Sequence, residues 1–134
     1  MRIEWATVGE IKETPQGINL WNMLTETTRV DGPPGGLVHI PVALILVGVP
    51  ADYVLSPRVR DPDNAVVLDG PAIKITPRMF SPERFPPGWE GHQPFRADLL
   101  VPLTKFGTYI IEFRVGDSDE VTTLAHRILS QTEG

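Results

Sequence analysis

The segment Gly107-Thr-Tyr-Ile-Ile-Glu-Phe-Arg-Val115 has a two-residue rhythm that constrains the fold more than any other feature of the chain. Tyr109, Ile111, Phe113 and Val115 fall on one side, and Thr108, Glu112 and Arg114 on the other. That alternation is the mark of a strand with one buried face and one wet face. The stretch from Phe95 to Leu103 repeats it, with Phe95, Ala97, Leu99, Val101 and Leu103 together. In a third stretch Tyr53, Leu55 and Val59 alternate with Ser56, Arg58 and Arg60. Fourteen prolines in 134 residues are roughly twice the average usage of about 5%. Spread along the chain, they argue against any long helix, because proline has no N–H to give to an internal turn.

Between these segments, Ile40-Pro-Val-Ala-Leu-Ile-Leu-Val-Gly-Val49 is apolar throughout. It reads as the most buried strand, near the middle of a sheet, with a short buried helix as the alternative. Asp61-Pro-Asp-Asn64 suits a type I turn and joins the Tyr53 segment to a returning strand at Val66-Val-Leu68. Gly116-Asp-Ser-Asp-Glu120 joins 107–115 to a strand over 121–129, and Thr14-Pro-Gln-Gly17 joins Ile3–Val8 to Ile18–Trp21. Asp31-Gly-Pro-Pro-Gly-Gly36 is a loop. Seven to nine short strands separated by turns predict an all-β fold: an antiparallel sandwich with an immunoglobulin-like topology, the alternative being a jelly roll or partly closed barrel. Residues 1–134 read as one domain, with a long proline- and aromatic-rich connection at 77–94.

Several kinds of chemistry are excluded or disfavoured. With no cysteine, disulfides, thiolate metal sites and cysteine nucleophiles are ruled out. A net charge of −5 disfavours a phosphate backbone or an anionic membrane as the main partner, and the basic residues are interspersed with acids. The longest apolar run is far short of the ~20 residues that span a bilayer. No basic-then-apolar leader opens the sequence, so a cytoplasmic location is the expectation. His39, His92 and His126 lie in no metal-ligand spacing. No serine sits in a nucleophile-elbow context, and the prolines of 32–36 remove the amide donors a phosphate loop needs. The acidic turns at Asp61, Asp63, Asn64 and Asp69 and at Asp117, Asp119 and Glu120 would serve calcium only if they converged; Asp and Asn also close turns by bonding their own backbone.

One resemblance covers most of the chain. The opening Met1-Arg-Ile-Glu-Trp-Ala6, the Gly17-Ile-Asn-Leu20 strand, the apolar strand ending in Leu46-Val-Gly48, the Arg60-Asp-Pro-Asp63 turn and the closing Gly107-Thr-Tyr109 strand occur together. The set resembles a family of small uncharacterised bacterial proteins, a domain of unknown function expected to be an immunoglobulin-like sandwich. The resemblance implies a fold and a bacterial setting, and it brings no catalytic residues.

Function is then expected from surfaces. Residues 77–95 hold Phe80, Phe85, Trp89 and Phe95, with His92 beside them. Prolines stiffen this segment, and exposed aromatic rings on a stiff loop make efficient contact anchors. The bland reading is a crossover whose rings plug an open end of the sandwich. The functional one is a partner-binding surface formed by Phe80, Phe85, Trp89, His92 and Phe95. No acid, base, nucleophile or metal set converges in the sequence, and no cofactor is implied. The chain therefore reads as a non-enzymatic protein–protein interaction module or structural accessory subunit, binding a protein partner or itself through sheet edges and the 77–95 segment. The alternative is a carbohydrate- or calcium-binding sandwich with Trp89 or Trp21 as a stacking platform. An enzyme built around His92, Glu90 and Glu83 is the least favoured reading.

Overall fold

The computed structural model describes residues 2–15, 17–48, 52–75, 91–116 and 119–131. Among them are eleven strands and no helix: β1 (Arg2–Val8), β2 (Glu10–Thr14), β3 (Gly17–Trp21), β4 (Thr27–Val30), β5 (Leu37–Gly48), β6 (Tyr53–Arg60), β7 (Val66–Asp69), β8 (Ile73–Ile75), β9 (Gly91–Pro102), β10 (Gly107–Val115) and β11 (Thr122–Ser130). One sheet has the order β1-β5-β9. A second runs β4-β11-β10-β6-β7, with β8 also on β6, and β2-β3 stand apart as a two-stranded sheet. The two larger sheets share one core and do not close into a barrel.

That core follows from the alternation. Tyr109, Ile111, Phe113 and Val115 of β10 are all buried, as are Leu55 and Val59 of β6. Facing them from the other sheet are Ile40, Val42, Leu44 and Leu46 of β5 with Ala97, Leu99 and Val101 of β9. Each fully buried Leu, Ile or Phe side chain contributes about 1.5–3 kcal/mol by leaving water. The apolar run is β5, the middle strand of its sheet. Pro41 is tolerated there because it lies where β1 leaves: its carbonyl accepts from Gly9 N–H at 2.9 Å. A residue in an antiparallel strand directs its N–H and C=O to the same side, so the donor Pro41 lacks would have faced the end of β1 rather than β9.

Both carboxy-terminal hairpins form as expected, β6 with β7 and β10 with β11. The first turns through Asn64 at φ 66°, a left-handed conformation that Asn adopts readily. The amino-terminal hairpin is different. Its arms are β2 and β3, and β1 instead pairs with β5. The break falls at Gly9, where a Cβ would lie 2.6 Å from Met23 Sδ; the crossing chain leaves no space for a side chain. The strand total exceeds seven to nine because β2, β4 and β8 are short and carry little apolar pattern. The second sheet is also mixed rather than wholly antiparallel, since β4 runs parallel to β11. β9 begins at Gly91, so the last residues of the expected 77–94 connection are strand.

A hydrogen-bonded lock braces one end. The Asp61 carboxylate accepts from the N–H groups of Asp63 at 2.9 Å and Ala65 at 3.0 Å and from the Thr104 hydroxyl at 3.0 Å. Tyr109 Oη donates to the Lys105 carbonyl at 2.7 Å and accepts from Thr104 N–H at 3.1 Å. Gly107, at φ 145°, passes Pro62 so closely that a Cβ would sit 2.8 Å from Pro62 Cγ. The Ala65 N–H is the main cause holding the Asp61 carboxyl below its ordinary value; burial opposes it, and Thr104, Asp63 N–H and Lys105 add to the lowering.

Candidate functional site

Of the five contact residues expected from the sequence, Phe80, Phe85 and Trp89 lie outside the described residues. The other two sit on opposite faces of β9. Phe95 is opposite Leu44 and packs partly buried against the core. His92 is exposed on the outer face, with Nε2 2.9 Å from Glu4 Oε2, a contact that spans β5 at the level of Val47. Phe95 and His92 therefore do not form one surface.

The outer face of the β1-β5-β9 sheet carries a second polar row that sequence spacing does not reveal. His39 Nε2 lies 2.7 Å from Asp98 Oδ1, Arg96 Nε donates to the same oxygen at 2.9 Å, and Arg96 reaches Glu10 at 3.4 Å. Partial burial alone would raise the Asp98 carboxyl, but the hydrogen bonds and charges of His39 and Arg96 more than reverse it. Half-exposed pairs of this kind contribute little to stability; here they also tie β2 to β9. The outer face of the other sheet holds a groove of about 360 Å³ between Arg58, Asp69, Glu112, Arg114 and Asp119. Both charge signs line it, with Arg58 3.5 Å from Asp69; outside the lining, Arg60 lies 3.2 Å from Glu112. Among the described residues, no three His, Asp or Glu side chains are grouped to hold a metal ion.

His126 is fully buried on β11 opposite Tyr109. Its Nε2 lies 2.7 Å from the Thr28 hydroxyl on β4, and its Nδ1 has no hydrogen-bond partner. Burial pushes its pKa below the ordinary 6.5, offset only in part by the nearby Thr25 backbone. The folded state therefore prefers the neutral ring and the unfolded state binds the proton first. Stability is full above pH 6.5 and falls as the pH drops from there toward the lower folded-state value. Urea unfolding at a series of pH values checks this: the wild type should lose stability across that window more steeply than His126→Gln, and equal slopes would refute it.

The strongest candidate for contact is the β2–β3 hairpin. β3 and the turn after it place three large apolar side chains in water: Leu20 is 47% exposed, Trp21 50% and Leu24 76%. In the turn, Asn22 and Leu24 have φ of 51° and 61°, values a bulky residue rarely adopts. Met23 is thereby tucked against Gly9 while Leu24 projects outward. The Thr25 hydroxyl donates to Asn22 C=O at 2.5 Å, and Thr25 N–H to Val8 C=O at 3.3 Å, fixing the turn to β1. Lys12 Nζ sits 5.1 Å from the Trp21 ring centroid, a cation–π contact that steadies the ring in its exposed position. The sequence shows Gly17-Ile-Asn-Leu-Trp21 as uncharged and strand-forming. It does not show that the hairpin has no sheet to lie in, which is what leaves these side chains exposed. No protein-family model matches the chain, and neither does any curated protein.

Proposed function

We propose that this chain is a non-enzymatic protein–protein interaction module, built on an immunoglobulin-like sandwich and contacting its partner through the inserted β2–β3 hairpin. The order β1-β5-β9 corresponds to immunoglobulin strands A, B and E, and β11-β10-β6 to G, F and C, with β7 beside C as in variable-type domains. Tyr109, near the start of β10 and bonded to the Lys105 carbonyl, stands where such sandwiches carry a tyrosine corner. In that frame the chain passes from β1 in one sheet to β4 in the other, and the hairpin is an excursion between them.

One observation carries the functional reading. β1 and β4 each have a sandwich partner, β5 and β11, without any help from β2 and β3. Yet the hairpin keeps Leu20, Trp21 and Leu24 in water. Leu20 and Trp21 are adjacent on β3 and point to opposite faces of the hairpin, Leu20 beside Ile11 and Trp21 over Lys12. With Leu24 on the fixed turn they leave apolar surface on both sides, and exposed apolar groups that no fold requires are characteristic of a contact site. A photo-crosslinking residue at position 24 in the full chain, expressed in its own cells, tests this. The expected result is a predominant polypeptide adduct that Trp21→Ser reduces at least about tenfold, with thermal stability unchanged within about 0.5 kcal/mol because the ring is exposed. Absence of any polypeptide adduct sinks the reading.

A further inference from the structure

We propose that β3 is the pairing edge for a second copy of this chain: two hairpins join antiparallel across a two-fold axis into one four-stranded sheet. This rests on the reading of the hairpin as a contact site and names its occupant.

A free strand edge presents unpaired N–H and C=O groups, and proteins blunt such edges with charge, proline, bulges or brevity. Among the described residues, every other edge carries one of these devices. β1 has a register shift between Ile3 and Trp5 and bears Arg2 and Glu4. On β9, the partners of the β5 residues that share the orientation of Pro41 direct their backbone groups to the open side. Pro94 and Pro102 are among them, together with His92, Arg96 and Asp98. β7 and β8 are short pieces parted at Gly70-Pro71 and carry Asp69 and Lys74. β4 has four residues, one of them Arg29. β2 bears Glu10, Lys12 and Glu13. β3 alone, Gly-Ile-Asn-Leu-Trp, has no charge, no proline and no bulge. Alternate residues of it direct their backbone groups away from β2, and none makes a backbone hydrogen bond elsewhere among the described residues.

The occupant follows from what such an edge accepts. An uncharged strand pairs without opposing charges or the desolvation of ionised side chains when its partner is uncharged too. It accepts another uncharged, proline-free extended strand, and the chain carries one in β3 itself. Antiparallel pairing centred on Asn19 sets Leu20 of one copy opposite position 18 of the other, and no like charges meet. The same pairing through β2 would set Lys12 against Lys12. The two-fold contact uses one patch on both copies and is closed. The charged β2 edges then end the sheet at four strands. A two-stranded hairpin is marginal alone in water, whereas three or more strands with an apolar face are stable. Ile11, directly opposite Leu20, supplies that face.

Sedimentation velocity of the purified full chain is the test, across concentrations up to about 100 µM. The expected result is a species of twice the 14.8 kDa chain mass, with Leu20→Lys weakening association at least about tenfold and leaving the melting temperature of the dilute, monomeric chain unchanged. As a readout without substitution, amide exchange in the wild type should slow with concentration at alternate residues of β3. A chain that remains monomeric, or a dimer that Leu20→Lys leaves intact, overturns the proposal. If the chain is monomeric and position 24 still crosslinks to a different polypeptide, the interaction-module reading survives and only self-pairing is lost.

Discussion

Phe113→Ala is expected to cost about 3–5 kcal/mol, the usual range for truncating a buried aromatic. Phe113 is fully buried in β10, between Pro57 of β6 and Thr122 of β11 in register, and it faces the β1-β5-β9 sheet. Its neighbours belong to strands hydrogen-bonded along their length, so the space left by the ring cannot collapse without shifting a ladder. Against a typical total of about 5–15 kcal/mol, such a loss lowers the melting temperature by roughly 10–20 °C. Equilibrium urea unfolding gives the figure directly. A loss below about 1 kcal/mol would mean that the ring does not bridge the two sheets as described.

Tyr109→Phe should cost about 1–3 kcal/mol, although it removes a single oxygen. The ring is fully buried, so its packing is conserved and the loss is confined to hydrogen bonding. The hydroxyl donates to the Lys105 carbonyl and accepts from Thr104 N–H, and Lys105 N–H approaches it at 3.4 Å. Without it, two or three partly shielded backbone groups of one turn lose their partner at once, and each such group held from water costs more than the net worth of the bond. The Asp61–Thr104 bond persists in the variant, which should keep the turn in place and hold the effect below that of Phe113→Ala. Urea unfolding measures the cost and circular dichroism should show unchanged strand content. A cost near zero would mean that water replaces the hydroxyl and the corner has no bracing role.

The parts of this fold that were legible in the sequence are those where one strand's own alternation decides its burial. β10 is the clearest case: Tyr109, Ile111, Phe113 and Val115 are all buried. β5 was legible from its unbroken apolar run and the β6–β7 turn from Asp61-Pro62. Features decided by distant contacts were not. The division of β1 from β2 depends on Met23 lying against Gly9, and the parallel pairing of β4 depends on a strand almost a hundred residues later. The His126–Thr28 and His39–Asp98 pairs likewise join positions with no spacing relationship. For the candidate site, the rhythm that groups Phe95 with Ala97 and Leu99 is also what turns it inward, while His92 falls on the wet side. The exposure of Leu20 and Trp21 was hidden because their pattern is that of an ordinary strand; what is unusual is the absence of the covering layer that such a pattern leads one to expect.

Gly9 N–H bonds to Pro41 C=O and Thr25 N–H to Val8 C=O, so the chain departs from the sandwich and rejoins it at nearly the same point. An excursion anchored in this way resembles a socket with a removable head. Its length and side chains can therefore be altered without disturbing the residues that hold the two sheets together.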